Sequence, residues 1–541
     1  MRTATFLSAL FALFLAPITL AQTPGNCILG TAENDLDVNN VLARTFNTGS
    51  LFFGNTTVSG DGYLVPQNAG TSPIFASGLW VAGQLNGELR AAGSTYNDFE
   101  FWPGPLNDDG TLPAPDDCAQ FDRIYRVSRE DIEDYEAGGA PAIDLAEWPV
   151  GLGAPTIDAN GNPVEPASMD QLIDLEAGER PDINDADQAL WWVMNDVGNV
   201  HQNNLTPPIG LEVRVLAYAY DRPDAYGDAT FYDIGLTYKG NEVLEEAYLG
   251  VFSDPDLGFA SDDYVGSDPA RSLGFAYNAT NFDDVYGTPP PAVGYDLLSC
   301  PEGEDGESLG RVMYFENVPS SPTSDPATAE GVYNYLQGLW RDGTPLTVGG
   351  NGYDPGSDEV TDFAFSGNPP EFWSELDVDG NGTSTTPGDR RFLISNGPLT
   401  LAPGEEQTIT VGILWAIGED HLDSVTELKA ASDFIQQDFD GCALVSVEDG
   451  VAPSGLSLDP AYPNPFAAET ALRLSLDAPG RATVEVLDVL GRRVDVLLDE
   501  AIPAGPRTLV WRPRAALPNG VYFVRMHAGG AAVTRAVVLQ R

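Results

Sequence analysis

The chain has 541 residues, with 81 acidic against 26 basic side chains and a formal net charge of −55, at 43% hydrophobic and 10% aromatic content. So negative a protein repels nucleic acid and anionic membrane, which excludes both as main partners, while its apolar content can supply a core and excludes a disordered polyelectrolyte. The charge is uneven: from Leu456 onward ten arginines accompany eight acids, leaving 16 basic and 73 acidic groups in the preceding 455 residues, so a domain boundary is expected near residue 455.

In chain order, Arg2, the apolar run from Phe6 to Ala16 and the small-residue site Thr19-Leu20-Ala21 have the three parts of a secretory signal. Residues 1–21 are therefore expected to be removed on the way through the periplasm. No later stretch reaches about 18 uninterrupted apolar residues, so the mature chain is expected to have no membrane span. Residues 22–445 read as an acidic, β-rich extracellular body with room for two lobes. Glycine and proline, 57 and 42 in all, cluster between short apolar runs, the pattern of many strands and few helices.

Leu211–Tyr220 and Ala229–Tyr238 read as strands, and Ala247–Phe252 follows across Lys239-Gly240-Asn241 as though by a hairpin. Arg391–Ser395 and Gln407–Trp415 flank the turn-rich Leu401-Ala-Pro-Gly404. Together these predict a mainly β fold, a multi-lobed β-sandwich body with alternate residues facing a shared core. Helical periodicity is confined to Asp325–Trp340 and to Asp423–Ile435, where Val425, Leu428 and Ile435 fall near one face. Gly138–Arg180 reads as a long irregular excursion. Residues 446–455, containing Val451-Ala-Pro-Ser-Gly455, form a linker, and residues 456–541 a second, smaller sandwich.

Four cysteines, Cys27, Cys118, Cys300 and Cys442, are widely spaced. In an exported protein an even number points to two disulfides, with three connectivities equally open, and the lack of CxxC spacing argues against zinc. Only two lysines occur, Lys239 and Lys429. Adaptation to concentrated salt and bound divalent cations both account for such acidity, and the two are compatible.

The segment Tyr462-Pro463-Asn464-Pro465-Phe466, the run Ala482–Val494 with Gly491, the run Asn519–Arg525 with Gly520 and Tyr522, and Val533–Leu539 resemble, in order and spacing, the type A C-terminal sorting domain of the type IX secretion system. The resemblance implies an immunoglobulin-like sandwich over residues 456–541. It also implies recognition by an outer-membrane translocon and its processing machinery, and a product released or anchored to surface polysaccharide, hence secreted or on the outer surface. Body segments such as Phe99–Pro105 and Ser253–Gly258 resemble uncharacterised large secreted proteins of the Bacteroidetes and Rhodothermus type, which brings no activity with it.

Asp254, Asp256, Asp262, Asp263 and Asp268 put five carboxylates into fifteen residues, among glycines such as Gly258 and Gly266 that let a loop turn its oxygens inward. Such loops suit calcium, which takes six to eight oxygen ligands. Asp377, Asp379 and Asn381, followed by Gly382, repeat the opening of a calcium loop but lack the closing glutamate. Catalytic patterns are weak. The letters GxSxG at Gly306–Gly310 follow an acidic loop rather than a strand. His201 lies in a polar run, His421 at a helix start, and neither belongs to an HExxH helix. These observations favour a non-catalytic structural or adhesive protein with calcium-stabilised acidic loops. The alternative is a secreted carbohydrate-active hydrolase or carbohydrate-binding protein, for which Glu371, Glu375, Trp191, Trp192 and Trp340 are the candidate acids and stacking rings.

Overall fold

Alternation along one strand, Gln188–Asn195, sets the architecture of the body. Leu190, Trp192 and Met194 enter one buried apolar cluster while Ala189, Trp191 and Val193 enter another. A strand apolar on both faces needs cover on both. The computed structural model describes residues 24–54, 62–96, 100–113, 118–301, 310–318 and 321–439, and, further on, 456–458, 466, 470–476, 480–488, 492–502, 505–514, 517–518, 520–528 and 531–539. The chain divides into two compact units, residues 1–444 and 445–541. The expected signal peptide 1–21, the linker 446–455, Cys442 and residues 306–309 of the GxSxG segment lie outside the described residues.

The first unit is built on two nine-stranded antiparallel sheets. One runs Glu33–Leu36, Leu42–Phe46, Ser50–Leu51, Ala76–Leu85, Leu244–Asp254, Arg390–Leu401, Gly310–Glu316 along its main path. The other runs Asp263–Asp268, Leu273–Asn278, Ala292–Ser299, Glu406–Ala416, Ala229–Tyr238, Leu211–Ala219, Gln188–Asn195, Trp102–Pro103. Leu79 and Val251 of the first and Trp192 and Ile234 of the second line one small apolar cavity between them, the sheet-on-sheet packing expected. The hairpin expected across Lys239-Gly240-Asn241 does not form: Ala229–Tyr238 belongs to the second sheet and Leu244–Asp254 to the first. The link around Leu401-Ala-Pro-Gly404 crosses between sheets in the same way. The two crossings are tied together, Gly404 N donating to Tyr238 O at 2.7 Å and Tyr238 N to Glu405 O at 2.9 Å. Both strands are buried on both faces, and each has strand neighbours on either side.

Four α-helices are present among the described residues: α1 (Arg129–Glu136), α2 (Ile143–Ala146), α3 (Ala329–Leu336) and α4 (His421–Ile435). Helix α1, unforeseen, starts at a reciprocal cap in which Ser128 and Asp131 satisfy each other's backbone N–H. Helix α3 is shorter than the sequence predicts because Thr328, rather than Asp325, is the cap that accepts from Gly331 N. In α4, Val425, Leu428 and Ile435 are buried as their spacing requires. The excursion at 138–180 is more than a loop. Its Leu145, Trp148 and Val150 join Trp191 and Val193 in the smaller cluster and so cover the outer face of the second sheet. Cys27 is bonded to Cys118, and Cys300 is also disulfide-bonded.

The second unit has a three-stranded sheet, Leu456–Leu458, Thr470–Leu476 and Gly505–Trp511, and a four-stranded one ordered Arg493–Ile502, Gly480–Asp488, Gly520–Ala528, Ala531–Leu539. Leu472 and Leu474 of the first share a core with Ala482, Val484, Val486, Val524 and Met526 of the second, every other residue along each strand. Phe466 and Tyr522 pack on Trp511 in that core, and Tyr522 donates its hydroxyl to Pro518 O at 2.8 Å. Tyr462, Pro463, Asn464, Pro465 and Gly491 lie outside the described residues, and Gly520 opens the strand Gly520–Ala528.

Candidate metal centre

Sheet register assembles an acidic centre at one end of the first sheet. Leu244–Asp254 pairs with Arg390–Leu401 so that Ser253 faces Phe392. One step further places Asp254 opposite Arg391, with Asp256 just beyond one strand and Asp389 just before the other. Asp254, Asp256 and Asp389 each place a carboxylate oxygen within 4.8 Å of the others. Arg391 threads the group, its Nη2 donating to Asp389 Oδ2 at 3.2 Å and its Nε lying 3.5 Å from Asp254 Oδ2 and 3.6 Å from Asp325 Oδ1. Tyr96 donates its hydroxyl to Asp254 Oδ2 at 2.6 Å and accepts from Arg391 Nε at 2.8 Å. Asp254 Oδ1 is buried and has no hydrogen-bond partner.

Four carboxylates thus share one guanidinium. Burial pushes Asp254 up to about 7, against the pull of Arg391, and pushes Asp256 up to about 6, helped by the negative charge of Asp389. Asp254 and Asp256 were legible as candidates from local density. Asp389, Arg391, Asp325 and Tyr96 were not, since only the strand pairing brings them there.

The five clustered aspartates do not meet at one point. Asp268 caps the turn at Ala270 and pairs with Arg271 at 2.8 Å and Lys429 at 3.2 Å, so it already has its counter-charges. Asp262 and Asp263 turn away toward Asn278, where Asp263 faces Asn278 in the Asp263–Asp268 pairing. In the Asp377 loop, Asp379 accepts from Asn381 N at 2.9 Å and from Thr383 Oγ1 at 2.8 Å, and Asp377 from Gly382 N at 2.9 Å. Its acids are occupied in shaping their own turn, and that loop contributes nothing to the Asp254 centre.

The candidate sugar-handling residues are placed differently from expectation. Trp191, Trp192 and Trp340 are at most 1% exposed and fill the core. Glu375 is buried and held by Arg390, Nη2 to Oε1 2.9 Å. His201, expected in a polar loop, is fully buried: Nδ1 lies 2.9 Å from Ala91 O and Nε2 2.8 Å from Asp196 O, with the Glu100 and Asp196 carboxylates at 3.5 and 3.6 Å. His421 does open α4, its Nδ1 2.8 Å from Asn278 O. A groove of about 1170 Å³ does exist, unforeseen, against the second sheet. Its lining includes Arg180, Asp182, Tyr220, Tyr226 and Asp233. Asp233 accepts from Thr410 Oγ1 and from Asn184 Nδ2, both at 2.8 Å, and burial raises its carboxyl above the ordinary range.

Residues 460–540 match the family model described as the secretion system C-terminal sorting domain. No curated protein matches the chain. Among solved structures, a polysaccharide lyase is similar at 9% identity and a TM-score of 0.24, over 97% of this chain and 47% of its own. The chain thus spans about half the length of that lyase. A trimeric ectodomain of a C. elegans fusion protein is similar at 8% identity and a TM-score of 0.12, over 96% of this chain and 97% of its own.

Proposed function

We propose that this protein, exported by the type IX system on its C-terminal sorting domain, acts at the cell surface or in the medium as a non-catalytic structural or adhesive protein whose acidic loops are held by calcium. Export to the surface or beyond follows from the sorting domain, and the secretion machinery that reads such domains is the partner it implies. Among the described residues no helix is long and apolar enough to cross a membrane. The observation that carries the calcium reading is the convergence of Asp254, Asp256 and Asp389. With Asp325, three carboxylates lie within ion-pair distance of Arg391 and Asp256 stands beside two of them, an excess of three negative charges over the one guanidinium when all are ionised. Buried charges of one sign either protonate or take up a cation. Oxygen ligands alone select a hard ion, and an irregular set of carboxylates from a strand end and its flanking loops suits calcium better than the strict octahedron of magnesium. Chelating the purified chain at pH 8 should lower its melting temperature by several degrees, and calcium should restore it. No shift in either direction would leave an acidic cluster that works without metal.

The groove supports a second reading, saccharide binding. Carboxylates accept from sugar hydroxyls, Arg180 can donate, and the ring of Tyr220 offers a partly exposed face, the mixture of apolar surface and fixed polar groups that small-ligand sites share. Retention on immobilised neutral polysaccharide should fall at least about tenfold in Tyr220→Ala and in Asp233→Asn, one lost interaction of about 1.4 kcal/mol. A hydrolase needs in addition two carboxyls roughly 5 to 10 Å apart across the scissile bond. Release of reducing ends from a retained glycan distinguishes turnover from binding.

A further inference from the structure

Asp262, Asp263 and Asn278 form a separate polar pocket where the chain enters the Asp263–Asp268 strand. Asp263 and Asn278 are register partners in an antiparallel pair, so their side chains stand on the same face. They are 1% and 0% exposed, respectively. Asp263 uses one oxygen, Oδ2, to accept from Leu257 N at 3.0 Å. Its Oδ1 has no hydrogen-bond partner, and neither do Asp262 Oδ1 or the Asn278 amide oxygen, while the Asn278 amide NH2 leans toward the Asp262 carboxylate. Three buried oxygens without partners in one place are rare in a folded protein, where such atoms are satisfied by protein, water or an ion.

Charge makes the vacancy of partners more telling. Neither Asp262 nor Asp263 lies within ion-pair distance of an arginine, lysine or histidine among the described residues, unlike Asp254 and Asp268 with their cations. Their neighbours add negative charge. Asp283, fully buried, is committed to its own turn, accepting from Val285 N at 2.8 Å, Tyr286 N and, through Oδ2, Phe259 N at 2.9 Å. Burial, with Asp283 next, pushes Asp262 up to about 6, and burial lifts Asp263 well above the carboxylate range. Gly258, at φ +80°, is required at this turn because a Cβ there would stand 2.3 Å from Asp283 Oδ1. His421 touches the pocket only through the Asn278 carbonyl, at 2.8 Å. Asp262 remains partly exposed, which leaves a path from solvent.

We propose that Asp262, Asp263 and Asn278 bind a second divalent cation of the calcium class, through two carboxylates and the amide oxygen. The site extends the calcium reading but uses none of the residues of the Asp254 centre, so each can fail alone. The test is to count calcium bound to the purified full chain by equilibrium dialysis at pH 8. Asp262→Asn should bind one ion fewer than the wild type, and Asp256→Asn with Asp389→Asn should also lose one, a different one. Asp262→Lys, which brings its own positive charge, should lose that ion and melt higher than the metal-free wild type. An unchanged count in Asp262→Asn, or an Asp262→Lys chain that melts lower than the metal-free wild type while still binding every ion, overturns the second site and leaves the first untouched. Loss of an ion in Asp262→Asn with no loss in the Asp256 and Asp389 variant overturns the first and leaves the second.

Discussion

Replacing His201 by alanine is expected to destabilise the body by about 3 to 5 kcal/mol, the size seen when a buried ring is truncated and its buried polar partners are left unpaired. Each ring nitrogen faces a carbonyl oxygen, Ala91 O at 2.9 Å and Asp196 O at 2.8 Å. A carbonyl only accepts, so a ring nitrogen bonds at either end only as an N–H donor, and the ring ties two backbone segments together. It lies between Glu100 and Asp196, all three side chains fully buried. The carboxylates are further satisfied by Asn203 N and Asn204 Nδ2 on Glu100, both at 2.7 Å, and by Gly210 N and Leu211 N on Asp196, at 2.9 and 2.7 Å. Without the ring, two anions remain in a site that burial already makes unfavourable, as the raised pKa of each shows. Glu100→Gln in the His201→Ala background should recover part of the loss by removing one of those charges. Urea denaturation of the three proteins measures both effects.

The calcium response is expected to depend strongly on pH. In the metal-free protein Asp254 and Asp256 are raised to about 7 and about 6, above the ordinary value near 4 that they regain on unfolding. Folding therefore favours their protonated forms. That contribution is complete below about pH 4 and is lost as pH rises through about 6 and 7. The metal-free chain should accordingly melt at a higher temperature at pH 5 than at pH 8, as far as these two groups determine it. Calcium needs the ionised carboxylates, so its stabilisation should grow over the same interval. At a hundredfold excess over its dissociation constant it is worth about 2.7 kcal/mol, several degrees for a unit of this size. Scanning calorimetry at pH 5 and pH 8, with calcium and with chelator, should show a small difference at the lower pH and the full shift at the higher.

Strands were legible wherever alternation or apolar runs were strong. Ala229–Tyr238 is observed with the bounds its sequence predicts. Which sheet a strand joins was not legible, because a short Gly-Asn link serves a hairpin or a crossing equally and burial on both faces decides. Cover was misread for a similar reason. Trp148 sits in a stretch rich in proline, glycine and aspartate, yet it packs on Trp191 at 6.3 Å between ring centroids. The acidic centre was half legible. Asp254 and Asp256 announce themselves by density, but Asp389 and Arg391 join them only through the pairing of Leu244–Asp254 with Arg390–Leu401. His201 was concealed by its polar neighbours Asn199, Gln202 and Asn203, while its real partners, Glu100 and Asp196, gave no local signal. The sorting domain was the most legible part, since its motifs recur in order along one short stretch, and the family match over residues 460–540 agrees.

The most direct test of the account is a calorimetric titration of the purified chain with calcium at pH 8, set beside Asp256→Asn with Asp389→Asn. Both substitutions keep side-chain volume and leave Asp254, Tyr96 and Arg391 in place. The wild type is expected to give a calcium-binding isotherm, and the variant to lose one binding step or show it at least about tenfold weaker. An isotherm that the two substitutions leave unchanged, or no binding by the wild type at all, would contradict the calcium reading.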